Sequence, residues 1–195
     1  MLTIVAHDRR AVEASLAAVA AVRPADLSRP TPCADWTLAD LLAHMTAQHR
    51  GFAAAARGNG ADPEIWREHP LGPDATTAYR DAAADVLAAF AEQRGEPFAL
   101  PLIRSGGGFP AELAIAFHLV DYAVHGWDVA RTLGLAYELD ADTTAAALRV
   151  ALAVPDGPEH RLPGAAFAPA LPPVPDGLPF DRVLRALGRS PAWPS

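Results

Sequence analysis

The sequence predicts an all-α protein, and three observations carry that expectation. The apolar fraction of 51% owes much to alanine, the strongest helix former, while β-branched and aromatic residues are comparatively few. Apolar side chains recur at three- and four-residue steps over long segments, the period of a helix with one face turned to a core. Proline and glycine clusters separate those segments, and each can end a helix. At 195 residues the chain fits a single domain, 1–195, able to bury about two-thirds of its unfolded surface.

The first helix is expected over about 2–22, through Val5, Val12, Leu16 and Val19, stopping before Arg23-Pro24. Pro30-Thr31-Pro32-Cys33-Ala34-Asp35-Trp36 sets the approach to the second. There Thr37 and Asp40 have capping-box spacing, with Asp in place of the usual Glu or Gln. Leu38, Leu41, Leu42 and Met45 make its buried stripe, and Gly58-Asn59-Gly60 supplies a stop after about Arg57. Tyr79, Val86, Leu87 and Phe90 mark a third helix between Asp74 and Gln93. A glycine-rich loop from Ser105 to Gly108 leads to a fourth, with Pro110 at its first turn and Gly134 just past its last. That loop precedes a helix N-terminus but lacks the Lys and spacing of a phosphate loop, so it reads as a flexible connector. Asp140 is placed to cap a fifth helix reaching about Val154. Eight prolines between 155 and 179 then forbid any long regular element, and Phe180 to Leu187 is the one helical stretch of the tail. Enough Phe, Leu and Val lie in residues 155–195 for that tail to pack on the 1–154 core.

The net charge of −7 argues against nucleic acid or an anionic membrane surface as partner, since both need clustered cations. All sixteen basic residues are Arg, which fits codon bias in a GC-rich genome. The single Cys33 forms no internal disulfide, so a reducing cytoplasm is the simpler compartment, and it reads as a small buried side chain at the entrance of the second helix. Charged residues come too early for a signal peptide and no run approaches a membrane span, so a soluble protein is expected.

The chemistry concentrates in Phe117 to Asp128. Asp121 and His125 are four residues apart, so on a helix they stand on one face, close enough to share an ion. Leu113, Phe117, Val120, Val124 and Trp127 form an apolar stripe; His118, Asp121, His125 and Asp128 form a polar one, offset by about 100° of rotation. Burying the first leaves the second at the edge of the core or lining a cleft. His44, bordering the apolar face of the second helix, is the best third donor. Two imidazoles and a carboxylate suit Zn²⁺ and leave a fourth position open. The same pattern also fits edge-of-core histidines, His118 and His125, hydrogen-bonded to Asp121 and Asp128. Asp128 has the spacing to orient His125 as an outer acceptor. His7, His49, His69 and His160 are expected to face solvent.

Pro30 to Thr37, Asp40-Leu41-Leu42-Ala43-His44, and Asp121-Tyr122-Ala123-Val124-His125-Gly126-Trp127-Asp128-Val129-Ala130 together resemble the mycothiol-dependent maleylpyruvate isomerase-like family of the DinB/YfiT-like metalloenzyme superfamily. Phe180 to Pro191 resembles the tail of one actinobacterial branch, so the resemblance spans nearly the whole chain. It implies an up-down-down-up four-helix bundle, with an extra helix and the proline-rich tail packed on it. It also implies a metal held by His44, Asp121 and His125, with Asp121 standing where the isomerase has Glu and many relatives have His. The chemistry implied is metal activation of a low-molecular-weight thiol, mycothiol, for attack on an electrophile. Reversible addition to a conjugated double bond, rotation and elimination give isomerisation; stopping at the adduct gives S-transfer. His118, Asp128, Arg104 and Arg131 are the candidates for supporting the site or binding substrate carboxylates. The metal is expected to be Zn²⁺, with Ni²⁺ and Fe²⁺ compatible with the same ligands. A homodimer is compatible with this reading, and so is a bundle that binds metal or a small ligand without turnover.

Overall fold

The computed structural model describes residues 3–33, 35–72, 74–103, 106–155, 157, 167–174 and 177–194. Six helices organise them: α1 Ile4–Val19, α2 Leu38–Ala56, α3 Ala75–Glu92, α4 Ala111–Leu133, α5 Ala141–Ala151 and α6 Pro179–Ala186. No strand forms among the described residues, where the β pairing consists of the isolated bridges Pro30–Thr37 and Phe98–Phe109.

Local chemistry sets the helix ends. Thr37 Oγ1 accepts the Asp40 N–H at 3.3 Å while Asp40 Oδ2 accepts the Thr37 N–H at 3.0 Å, the reciprocal box the spacing predicts. Asp140 caps α5 through the Thr143 N–H at 3.0 Å. Gly134, at φ 72°, ends α4 in left-handed backbone that a side chain would strain. Two ends fall short of expectation. The chain leaves α1 after Val19 and turns into a short 3₁₀ segment, Pro24–Asp26, and α5 stops at Ala151.

Side-chain pairings fix the helix directions. Asp8 meets His118 and Ser15 meets Gly126, so α1 and α4 run the same way. His49 lies against Tyr79 and Arg57 binds Asp85, so α2 and α3 also run together. Between those pairs the sense reverses, because His44 faces His125 while His49 faces His118. The result is the up-down-down-up bundle. Parallel neighbours need a connection as long as a helix, and residues 57–74 make that return between α2 and α3.

Corrections to the sequence reading come from α4. Its apolar stripe does not alone face the core: Leu113 is 43% exposed, while His118, His125 and Asp128 are buried. The helix sits between α1, α2 and α5, so nearly its whole circumference is covered and the polar stripe lies inside the bundle except at Asp121, which is partly exposed. Gly126 is part of how it fits, since a Cβ there would come within 2.7 Å of the Tyr137 hydroxyl. The described part of the tail packs on the bundle as expected, with Val183, Leu184 and Leu187 of and after α6 fully buried. Among the described residues, no helix is long and apolar enough to cross a membrane.

Candidate metal centre

The antiparallel crossing of α2 and α4 brings His44 over Asp121 and His125. The rings of His44 and His125 are 5.3 Å apart, edge to face. One ligand atom from each of His44, Asp121 and His125 lies within 4.8 Å of the others. His125 Nε2 stands 3.4 Å from Asp121 Oδ1. His125 is buried, whereas the side chains of His44 and Asp121 are each 18% exposed, so the set is partly open to solvent at those two donors. Trp36, held by the loop before α2, has its ring 4.8 Å from that of His44 and stacks on that of His125 at 6.2 Å. The loop is pinned by the Thr31 hydroxyl, which accepts the Cys33 N–H at 3.2 Å and donates to the Trp36 carbonyl at 3.1 Å.

Each imidazole has its other nitrogen committed to a carboxylate. His44 Nδ1 is 2.7 Å from Glu68 Oε1, and His125 Nδ1 is 3.0 Å from Asp128 Oδ2. Both rings are thereby left with Nε2 as the nitrogen open to an ion, the arrangement in which outer carboxylates orient metal-binding histidines. Burial disfavours a charged ring at His125, but Asp121 and Asp128 outweigh it and hold its pKa up at about 9. Burial likewise pushes the Asp121 carboxyl up, and the rings of His125 and His44 reverse this and leave it below its ordinary value. A negative pocket that draws protons onto imidazole is one a divalent cation would neutralise instead. The residues therefore fit a divalent metal ion.

The model of the family described as "Mycothiol maleylpyruvate isomerase N-terminal domain" matches residues 9–130, a segment running from α1 to α4 and containing all three donors. The chain belongs to this family. Uncharacterized proteins from two strains of Mycobacterium tuberculosis are 34% identical to it over 190 residues, covering 96% of this chain and 97% of theirs. The crystal structure of a mycothiol-dependent maleylpyruvate isomerase shares its fold at TM-score 0.55 and 15% identity, across 78% of this chain and 71% of that one. A histidine-to-alanine variant of that isomerase aligns over the same shares at TM-score 0.57.

Several residues of this family member stand elsewhere than the sequence suggests. His118 does not join the set. It is sealed in the core, its Nδ1 2.6 Å from Asp8 Oδ1 and its Nε2 3.1 Å from His49 Nδ1, and it bonds neither Asp121 nor Asp128. His49, expected in solvent, is fully buried and stacks on Tyr122 at 3.9 Å; His7 is buried too, 3.1 Å from Thr143 Oγ1. The helical period held the signal for His49, which continues the stripe Leu38, Leu41, Leu42, Met45 toward Phe52. His69 is exposed as expected, and His160 lies outside the described residues. Arg131 is taken up by the tail, its Nε donating to the Trp193 carbonyl at 2.7 Å and its Nη2 to that of Pro191 at 3.3 Å. Arg104 and Ser105 are outside the described residues, and the Phe98–Phe109 bridge pins the far side of the glycine loop.

Sequence reasoning missed Glu68, Arg189 and the place of Cys33. A ligand atom of Cys33 lies within 4.8 Å of ligand atoms of His125 and Asp128, a second triangle of donors sharing His125. That triangle already holds a cation: the Arg189 guanidinium reaches Asp128 Oδ1 at 3.2 Å and Oδ2 at 3.2 Å. Burial pushes the Cys33 thiol up to about 11 against the pull of Arg189, with Asp128 and Asp121 adding to the rise, so it is a poor nucleophile at neutral pH. The sequence reading makes Cys33 a small buried side chain; it is only partly buried, at the wall of the site.

Proposed function

We propose that this protein binds one divalent metal ion, Zn²⁺ in preference to Ni²⁺ or Fe²⁺, through His44, Asp121 and His125, and uses it in thiol-dependent transfer or isomerisation chemistry. The observation that carries the reading is the pair of carboxylates, Glu68 and Asp128, on the Nδ1 atoms of two histidines flanking a third anionic donor. Supporting it, the family description and the titles of both solved structures name mycothiol and maleylpyruvate isomerase. When bound, the ion would supply the Lewis acidity that favours the thiolate of a coordinated thiol near neutral pH. The chain's own residues do the rest. Glu68 and Asp128 fix the two rings, Asp121 contributes negative charge, and Trp36 offers a flat apolar wall beside the open position. The thiol is mycothiol on this reading, the second substrate a small electrophile, and the compartment the cytoplasm.

A second reading, metal or ligand binding without turnover, is favoured by one observation. Arg131 and Arg189, two arginines on and against this part of α4, are both spent on protein groups, which leaves neither for a substrate carboxylate. Elemental analysis of tag-free protein purified without chelator, beside His44→Ala and Asp121→Ala, tests the common premise. One ion per chain, lost in both folded variants, supports the site, and metal-dependent consumption of mycothiol with an electrophile then separates enzyme from binder. Protein that refuses added Zn²⁺ overturns the metal site and with it the first reading, leaving only ligand binding without metal.

A further inference from the structure

Arg189 enters the bundle from a helix end built to deliver it. After α6 the Gly188 N–H donates to the Arg185 carbonyl at 3.2 Å and the Arg189 N–H to the Leu184 carbonyl at 2.8 Å, the two bonds of a Schellman turn. Gly188 takes left-handed backbone at φ 74°, and a Cβ there would come within 2.6 Å of Ala168 Cβ. Leu187 is buried just before the turn, so the chain is anchored as it reverses and the next side chain points inward. The Arg189 side chain is 4% exposed, with Nε 3.2 and 3.3 Å from the two Asp128 oxygens, Nη2 3.2 Å from Oδ2 and Nη1 3.4 Å from the Leu187 carbonyl. Asp128 itself is fully buried, and its Oδ2 is the atom that faces His125 Nδ1.

We infer that Arg189 is a positioning residue of the metal centre: by gripping both oxygens of Asp128 it fixes the carboxylate that orients His125. This rests on the metal-site reading above. A buried carboxylate with one small acceptor contact could rotate about its terminal torsion; two guanidinium nitrogens on it leave one orientation, because the planar fork matches the carboxylate plane. The ring of His125 is then held with Nε2 toward Asp121. The tail thereby becomes part of the site, although it is remote from every donor in sequence. Arg131 supports the same docking from α4 by binding the carbonyls of Pro191 and Trp193.

The test uses the full chain with Arg189→Met, Arg189→Lys, Asp128→Asn and the double variant Arg189→Met/Asp128→Asn, with chelator competition for Zn²⁺ and circular dichroism to confirm folding. Arg189→Met is expected to weaken Zn²⁺ binding about 10- to 100-fold, the range for outer partners of metal-binding histidines. The double variant should bind no more weakly than Asp128→Asn alone, because the arginine acts through that carboxylate. Arg189→Lys keeps the charge but not the fork and should fall between wild type and Asp128→Asn, which decides the matter if Arg189→Met does not fold. Wild-type affinity in Arg189→Lys and folded Arg189→Met, or additive losses in the double variant, overturns the inference. A readout in metal-free protein keeps it separate from the metal reading: the His125 Nδ1–H proton should exchange slowly by NMR in wild type and rapidly in the Arg189 variants. If wild type binds no Zn²⁺ yet that contrast appears, the positioning role stands and the metal reading fails; an unchanged Nδ1–H sinks the positioning role.

Discussion

Helices α2 and α4 carry two histidine clusters, one open and one sealed. In the open one, His44, Asp121 and His125 meet with His44 and Asp121 partly exposed, and each imidazole spends Nδ1 on an outer carboxylate. In the sealed one, His49 and His118 lie deeper along the same pair, chained to Asp8 of α1, and none of the three is exposed. Their residue types are alike, yet the sealed chain spends its nitrogens inside the fold, and Asp8 Oδ2 and His49 Nε2 find no hydrogen-bond partner among the described residues. The difference teaches that burial, rather than histidine content, decides which cluster can serve a ligand. A sealed polar chain contributes by pinning three helices, and a half-open one with outward partners is left with donors to spare.

The comparison breaks most sharply at Asp8. Asp8→Ala removes the carboxylate that partners the fully buried His118 Nδ1 and is expected to cost about 3–5 kcal/mol in urea denaturation, while the protein that remains folded keeps its Zn²⁺ affinity. Equal loss of stability and metal affinity would show that the clusters are one unit.

Next comes pH, where the two clusters pull in opposite directions in metal-free protein. The folded pKa of His125 is raised to about 9 from an ordinary 6.5, so its contribution of about 3 kcal/mol is fully present below pH 6.5 and is lost as pH rises through 9. His49 is held neutral by burial, its pKa well below 6.5, with His118 adding to the shift. The unfolded chain takes up that proton and the folded one does not, so stability falls as pH drops below 6.5. Denaturation midpoints across this range should therefore peak near 6.5; a monotonic profile contradicts the assignment of the two clusters. Since His125 must release its proton to accept an ion, Zn²⁺ affinity should rise with pH toward 9.

Smaller effects sharpen the open cluster. Glu68→Ala frees the His44 ring and should weaken Zn²⁺ about 10-fold in the same competition assay. Smallest in stability is His44→Ala: the side chain lies at the partly exposed edge of the cluster and its partner Glu68 is at the surface, so the midpoint should move by less than about 1 kcal/mol although the ion is lost.

Legibility followed the range of the interaction. The Thr37–Asp40 capping box, the left-handed stop at Gly134 and the i,i+4 pair Asp121–His125 are local, and each was readable because its partners lie within a turn or two of chain. The apolar period placed four bundle helices within a few residues of their observed ends. It also carried Asp8 and His49, which sit on buried stripes with Val12 and Met45, but polarity outvoted period in the reading of His49. Glu68 and Arg189 had no such signal, because each reaches its partner only after a loop or the tail folds back across the bundle.

By itself, then, the sequence determined the helices, their caps and the face on which Asp121 and His125 stand, because backbone hydrogen bonding and side-chain period act over a few residues. Tertiary structure decided which histidine is sealed and which is open, which carboxylate each ring leans on, and that an arginine from the tail closes the back of the site. Those outcomes depend on how deeply helix pairs bury a given turn and on where long connections return. Such contacts join residues far apart in the chain, and their energies exist only once the bundle has formed around them.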